Sequence, residues 1–162
     1  MRIFFLRHGE AEERQPGMPD AQRQLTPEGI AEMRRVGRGI AALDLRIDSI
    51  LTSPLVRAYQ TAALAAEALG LTERLREDQL LASGARFADL VHALQDEREN
   101  ARILVVGHEP DFSNLIGELI GGGVVRMKKA ALAHVDVTSV SRGSGELRWL
   151  LEPEHLARLG GE

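Results

Sequence analysis

The sequence contains no cysteine. That excludes a disulfide scaffold, a thiolate nucleophile and a Cys-ligated zinc site, and with nothing pointing to an oxidising compartment it leads us to expect a cytoplasmic protein. Long apolar runs are also missing: no stretch approaches the roughly 18 uninterrupted apolar residues of a membrane helix. The opening Met1-Arg2-Ile3-Phe4-Phe5-Leu6-Arg7 becomes charged too soon to serve as a secretory leader, so no membrane association is expected. An excess of basic charge is absent too. With 24 acidic against 20 basic residues the net charge is -4, which argues against nucleic-acid binding but leaves room for a local basic pocket. There is no internal repeat, low-complexity tract or linker.

What remains is ordinary globular material. The 162 residues are 44% hydrophobic and 27% charged, enough to bury a real core, and we expect a single domain over residues 1–162. Ile3–Leu6 reads as a buried strand that stops at Arg7-His8-Gly9-Glu10. A charged loop over residues 11–25 contains Pro16, Gly17 and Pro19. Thr26 then caps a helix with Pro27 at its first position, and Ile30, Met33, Val36, Ile40 and Leu43 form its apolar face. Residues 47–52 form a second strand, after which Ser53-Pro54 repeats the cap-then-proline pattern before a helix that ends at Gly70. A connector over 71–83 has room for a short strand, and Phe87, Leu90, Val91 and Leu94 mark another helix. Ile103–Val106 is the clearest strand, followed by Gly107-His108-Glu109-Pro110, a helix from Asp111 to Ile120 and a stop at Gly121–Gly123. Residues 131–137 and 145–150 read as two late strands joined by a Ser-Arg-Gly-Ser turn. Strands alternating with helices predict an α/β fold, a three-layer α/β/α sandwich with a mostly parallel central sheet.

Three segments follow a buried strand with a polar turn carrying Arg or His: Arg7-His8-Gly9, Ser53-Pro54-Leu55-Val56-Arg57 and Gly107-His108-Glu109-Pro110. In an open α/β sheet the carboxyl ends of parallel strands share one edge, where ligands bind. Two arginines and two histidines would meet there. Arginine offers a planar fork of donors for phosphate oxygens, and Arg57, in the first turn of its helix, leans toward the free N–H groups of that terminus. A neutral histidine is a competent nucleophile toward phosphorus. Gly9 removes a side chain where substrate and backbone would crowd. Two imidazoles beside two repelling guanidiniums make a poor divalent-metal site, so no metal and no cofactor are expected.

Arg7-His8-Gly9 after the first strand resembles the hallmark of the histidine phosphatase superfamily. Leu25-Thr26-Pro27-Glu28-Gly29, the run from Ser53 to Thr61, and Val106-Gly107-His108-Glu109-Pro110 resemble its other signature segments, in the same order. The small size and the ending Trp149-Leu150-Leu151-Glu152-Pro153-Glu154-His155-Leu156 are most similar to the SixA-type phosphohistidine phosphatases. The resemblance implies a phosphoglycerate mutase-like fold, attack by His8 on phosphorus through a phosphohistidine intermediate, and Arg7, Arg57 and His108 around the phosphoryl oxygens. It also implies a phosphohistidine-bearing protein domain as substrate. The alternatives are a small phosphorylated metabolite, or a pocket that binds phosphate without turnover; a monomer is expected in each case.

One departure stands out. Larger members carry a leaving-group acid after the second helix, and residues 76–85 lack the expected acidic motif, as SixA-type members also do. Glu10 is then ranked above Glu77 and Asp78 as a group that assists water or holds His8. The basic run Arg126-Met127-Lys128-Lys129 reads as a solvated lead into a strand, with a docking patch as the alternative. His92, His134 and His155 fall outside every motif and are read as structural.

Overall fold

The computed structural model describes residues 1–161. In chain order it forms β1 (Arg2–Arg7), α1 (Pro27–Ala42), β2 (Ser49–Thr52), α2 (Val56–Leu69), β3 (Leu75–Glu77), α3 (Phe87–Ala93), β4 (Arg102–Gly107), α4 (Asp111–Leu119), β5 (Leu132–Val137), β6 (Gly145–Leu151) and α5 (Pro153–Leu159). Short 3-10 turns at Asp20–Gln22, Thr72–Arg74 and Gln79–Leu81 punctuate the loops.

One six-stranded sheet has the order β3-β2-β4-β1-β5-β6. The four strands β3, β2, β4 and β1 are parallel, and β5 and β6 extend the sheet antiparallel. Both faces are covered, so the central strands read as unbroken apolar runs rather than alternating ones. Phe4 and Leu6 of β1 point to one side with Met33, Val36 and Ile40 of α1, Ala62 and Ala65 of α2, and Leu156 of α5. Ile3 and Phe5 point to the other side with Leu90 of α3 and Phe112, Leu115 and Ile116 of α4. This is the α/β/α sandwich expected from the alternation of strands and helices.

The helix signals act much as their chemistry predicts. Thr26 Oγ1 accepts the Gly29 N–H at 3.0 Å, and Pro27 occupies the first helical position of α1. Buried Ala58, Ala62, Ala65 and Ala66 make a low ridge on α2, which lets α1 approach until a Cβ on Gly37 would stand 3.0 Å from that of Ala68. Gly70 ends α2 in the left-handed region, at φ 67. Ser53 behaves differently from expectation. The cap position of α2 belongs to Leu55, no side chain caps it, and the Ser53 hydroxyl turns instead toward His108.

The final helix is an addition to the sequence reading. Glu152-Pro153 starts α5, which returns across α1 and inserts Leu156, fully buried, into the core. The approach is possible only because α1 has glycine at position 39, where a Cβ would overlap the Leu156 carbonyl oxygen. Gly39→Ala therefore forces two backbones apart. Overpacking of this kind costs about 1–3 kcal/mol, so the melting temperature should drop by roughly 3–10 °C in a chain of this size. An unchanged melting temperature in a calorimetric scan would show that α5 is not seated on Gly39.

Candidate active site

Strand register assembles the site before any side chain is considered. Arg7 of β1 pairs with Gly107 of β4, and Val106 pairs with Thr52 of β2. The three strands end level, so His8, His108 and Ser53 each follow at the same edge. Backbone bonds extend the sheet one step further: His8 N–H reaches the Gly107 carbonyl and Ser53 N–H the Val106 carbonyl, both at 3.0 Å. The rings of His8 and His108 are 5.4 Å apart. Arg57, the second residue of α2, is 5% exposed and brings its guanidinium to His8.

His8 Nδ1 lies 2.7 Å from the Gly9 carbonyl oxygen. A carbonyl can only accept, so the ring proton sits on Nδ1 and the lone pair on Nε2. Arg57 Nε donates toward that lone pair at 3.3 Å. Burial pushes the His8 imidazole down to about 4, against the Gly9 hydrogen bond and assisted by the charges of Arg57, Arg7 and Lys129. The ring is thus neutral near pH 7, with a lone pair facing the guanidinium. His108 is pushed down to about 3, first by burial and then by His8 and Arg57. Burial also depresses Arg7 and Arg57, an effect opposed by Glu109 and Glu10 at Arg7 and by Asp20 at Arg57. Arg7 is anchored by a 2.7 Å bond from one terminal nitrogen to the Met127 carbonyl, while its buried Nε has no partner among the described residues.

A closed circuit of hydrogen bonds joins the two halves of this site. His8 Nδ1–H donates to the Gly9 carbonyl, and Gly9 N–H donates to Thr61 Oγ1 at 3.1 Å. Thr61 Oγ1–H donates to the Arg57 carbonyl at 2.7 Å, and Arg57 returns to His8 through Nε. Thr61 is fully buried, so its hydroxyl couples residues 52 positions apart without competition from water.

Arg7, His8, Arg57 and His108 therefore gather at one strand edge. Glu10 is held by Lys129 rather than by His8. Both of its carboxylate oxygens lie 2.8 Å from Lys129 Nζ, and the Gly9 carbonyl, not Glu10, holds the His8 ring. Asp78 accepts the Leu80 N–H at the turn after β3, and Glu77 is exposed at the end of that edge strand. Gly9 is required by α1, since a Cβ there would meet Met33 Cγ at 2.8 Å. In the run 126–129, the Met127 carbonyl anchors Arg7, Lys128 pairs with Glu152 and Glu154, and Lys129 pairs with Glu10.

Asp20 is the residue that sequence reasoning missed. Its carboxylate meets Arg57 at 3.0 Å, Arg14 at 3.1 Å and Arg23 at 3.2 Å, and its carbonyl accepts from Arg57 at 2.9 Å. Burial opposes ionisation, but the bond and charge of Arg57, with Arg14 and Arg23, hold the Asp20 carboxyl below its usual range. The loop over 11–25 is consequently folded onto Arg57, and an Ala11–Leu25 bridge ties its ends. No periodicity links Asp20 to a residue 37 positions later. The loop also carries Glu12 and Glu13, so nothing local singled Asp20 out among its acids.

The other histidines sit elsewhere. His92 is exposed on α3. His134 stacks on Phe4 at 4.5 Å, packs edge-on to Trp149 at 5.1 Å and bonds Asp136. His155 Nδ1 accepts the Glu152 N–H at 3.4 Å. A polar basin of about 590 Å³ opens at the opposite end of the sheet, lined by Arg2, Arg98 and Arg102; Arg2 lies 3.7 Å from Asp136 and Arg98 3.6 Å from Asp48. Among the described residues no three His, Asp or Glu side chains gather to hold a metal ion, and no helix is long and apolar enough to cross a membrane.

A crevice of two guanidiniums and two neutral imidazoles at the carboxyl edge of this sheet has the charge and donors to receive an oxyanion. Residues 3–82 match the model of the histidine phosphatase superfamily (branch 1), and the chain belongs to that superfamily. It is a phosphatase. It is 30% identical over 159 residues to the phosphohistidine phosphatase SixA of Escherichia coli (strain K12), covering 96% of each chain. The structure of the protein histidine phosphatase SixA complexed with tungstate superposes with a TM-score of 0.85 at 28% identity, over 96% of this chain and 99% of that one. A "Probable phosphoglycerate mutase GpmB" of Klebsiella pneumoniae (strain 342) is 33% identical over 150 residues, which are 88% of this chain and 66% of that protein.

Two measurements probe the site. Thr61→Val keeps the shape but leaves the Gly9 N–H without its acceptor, a loss of roughly 1–3 kcal/mol in a buried place. Turnover of p-nitrophenyl phosphate should decline about tenfold or more, and Thr61→Ser should restore it; a Thr61→Val enzyme at full rate would show the circuit to be incidental. The second measurement is stability against pH. Histidine in the unfolded chain titrates near 6.5, above His8 at about 4 and His108 at about 3 in the fold. Between those values the unfolded chain binds more protons, so stability rises with pH through this window and is lost on acidification. The melting temperature should fall from about pH 6.5 to about pH 5, and less steeply in a His8→Asn, His108→Asn chain; equal slopes would mean that the two rings are solvated.

Proposed function

We propose that the protein hydrolyses phosphohistidine carried on a protein domain, with His8 as nucleophile. The observation that carries this reading is that four carboxylates, Glu10, Asp20, Glu109 and Asp111, are already committed to donors. Glu10 is bound by Lys129, Asp20 by three arginines, Glu109 by the backbone and hydroxyl of Ser113, and Asp111 by the Gly84 N–H at 2.8 Å. A carboxylate whose oxygens already accept from other donors is poorly placed to serve a leaving oxygen. Sugar and serine phosphates leave as alkoxides and need such an acid. An imidazole leaving group takes its proton from solvent and departs neutral.

The chemistry follows from the tautomer of His8. Its Nε2 lone pair attacks phosphorus in line, forming a P–N bond as the P–N bond of the substrate breaks. Arg7, Arg57 and His108 donate to the phosphoryl oxygens and offset the charge that spreads over them. Water then attacks phosphorus, and inorganic phosphate leaves as His8 Nε2 regains its lone pair. The Gly9 carbonyl holds the Nδ1 proton throughout and stabilises positive charge on the ring of the intermediate.

One observation favours a second reading, a small phosphorylated metabolite. The loop over 11–25 does not stand clear of the pocket, because Asp20 fastens it to Arg57 and gives the crevice a partial cover. The relative named as a mutase shares 88% of this chain, which keeps that substrate class in view.

Rates on a phosphohistidine-bearing domain, phosphoserine and a panel of sugar phosphates decide between these readings. Phosphohistidine should be the fastest by about 100-fold or more, and rapid quenching should leave an alkali-stable, acid-labile label that His8→Ala abolishes. A sugar phosphate at or above the phosphohistidine rate would overturn the substrate assignment, and a label that survives in His8→Ala would overturn the nucleophile.

A further inference from the structure

His108 is held at one ring nitrogen and left bare at the other. Nε2 lies 2.7 Å from Ser53 Oγ, while Nδ1 is buried and has no partner among the described residues. The whole side chain is 2% exposed, so water does not supply the missing bond cheaply. Ser53 is itself fully buried, and its Oγ accepts the Leu55 backbone N–H at 3.2 Å. These contacts restrict where the protons can be.

A hydroxyl has one proton and two lone pairs, and a neutral imidazole has one proton and one lone pair. One lone pair of Ser53 is committed to Leu55. If His108 Nε2 carried the ring proton, it would take the second lone pair. The Ser53 proton would then have no acceptor among the bonds of Oγ, and Nδ1 would present a lone pair toward any bound oxyanion. If Ser53 donates instead, its oxygen both gives and receives, Nε2 is satisfied, and the ring proton is displaced to Nδ1. Only the second arrangement makes the unpartnered nitrogen a donor rather than an acceptor, on a ring whose centroid is 5.4 Å from that of His8. Burial keeps the ring neutral, so the choice of tautomer is the only way for His108 to be a donor near pH 7.

We propose that Ser53 is a positioning residue that selects the Nδ1–H tautomer of His108 and so turns a neutral imidazole into a hydrogen-bond donor for the phosphoryl oxygens. Its consequence for turnover rests on the phosphatase reading of the pocket; the tautomer itself does not. The same short segment places Arg57 four residues later, so one turn after β2 delivers a guanidinium to the phosphate and sets the proton on the histidine opposite. The Ser53 hydroxyl accepts the Leu55 N–H at the entry to α2 and keeps its own proton for His108.

Long-range ¹H–¹⁵N spectra of the unliganded, uniformly labelled protein read the tautomer directly. In the wild type, His108 Nδ1 should be the protonated nitrogen and Nε2 the bare one. Ser53→Ala should lose that pattern, weaken binding of inorganic phosphate and lower kcat/KM on p-nitrophenyl phosphate, each by roughly 10- to 100-fold. Ser53→Thr, which keeps the hydroxyl, should retain the wild-type spectrum and stay within about 3-fold of wild-type affinity. Thermal unfolding checks that each variant is folded; if Ser53→Ala is not, the wild-type and Ser53→Thr spectra decide. A wild-type His108 protonated on Nε2, or a folded Ser53→Ala chain that keeps both the Nδ1–H tautomer and phosphate affinity, would overturn the proposal. An intact Nδ1–H tautomer in a wild-type protein that neither binds phosphate nor turns over aryl phosphate would instead refute the phosphatase reading of the pocket.

Discussion

The site depends on a hydrogen-bonded circuit that runs His8, Gly9, Thr61, Arg57 and back to His8. It joins the end of a strand to the start of a helix, and each link does something the next one needs. The Gly9 carbonyl fixes the proton on Nδ1, which frees Nε2; Thr61 sets the distance between Gly9 and α2; α2 then delivers Arg57 to the freed nitrogen. All four residues lie in the dry interior edge of the sheet, where an unmade hydrogen bond costs more than it would in water. Geometry at His8 is thereby tied to the packing of α2 on the core.

Burial is the second constraint, and it acts on charge. Two imidazoles and two guanidiniums share a crevice without a metal-ligand cluster among the described residues, and the arrangement is tolerable because both imidazoles are neutral. The remaining positive charge is balanced from the loop over 11–25 by Asp20 and from the rim by Glu10 and Glu109. The Asp20 carboxylate lies against the edge of Arg57 and fixes the orientation of its guanidinium.

Much of this was legible in the chain because its signals are local. Unbroken apolar runs marked strands covered on both faces, Thr26-Pro27 marked the start of α1, and polar turns directly after strands marked the edge where His8, His108 and Arg57 would gather. Other features were not legible, and each involves a partner far away in sequence. Glu10 was expected near His8 and belongs to Lys129, 119 positions later. Ser53 carries the local pattern of a helix cap, and its hydroxyl answers to His108, 55 positions away. The helix α5 is short, starts at Glu152-Pro153 with His155 closing a capping box, and is held by Leu156 entering a gap that Gly39 leaves.

The sequence by itself determined which chemical groups exist and which segments end at the same edge: no thiol, two strand-end histidines, two strand-end arginines, and an alternation of strand and helix that admits few folds. The tertiary structure alone decided which proton sits on which nitrogen, which carboxylates are free, and how far the loop over 11–25 reaches across Arg57. Local periodicity records which face of an element is buried. Hydrogen-bond partners and protonation states are set by distances between segments that only the packed sheet brings within 3 Å of one another.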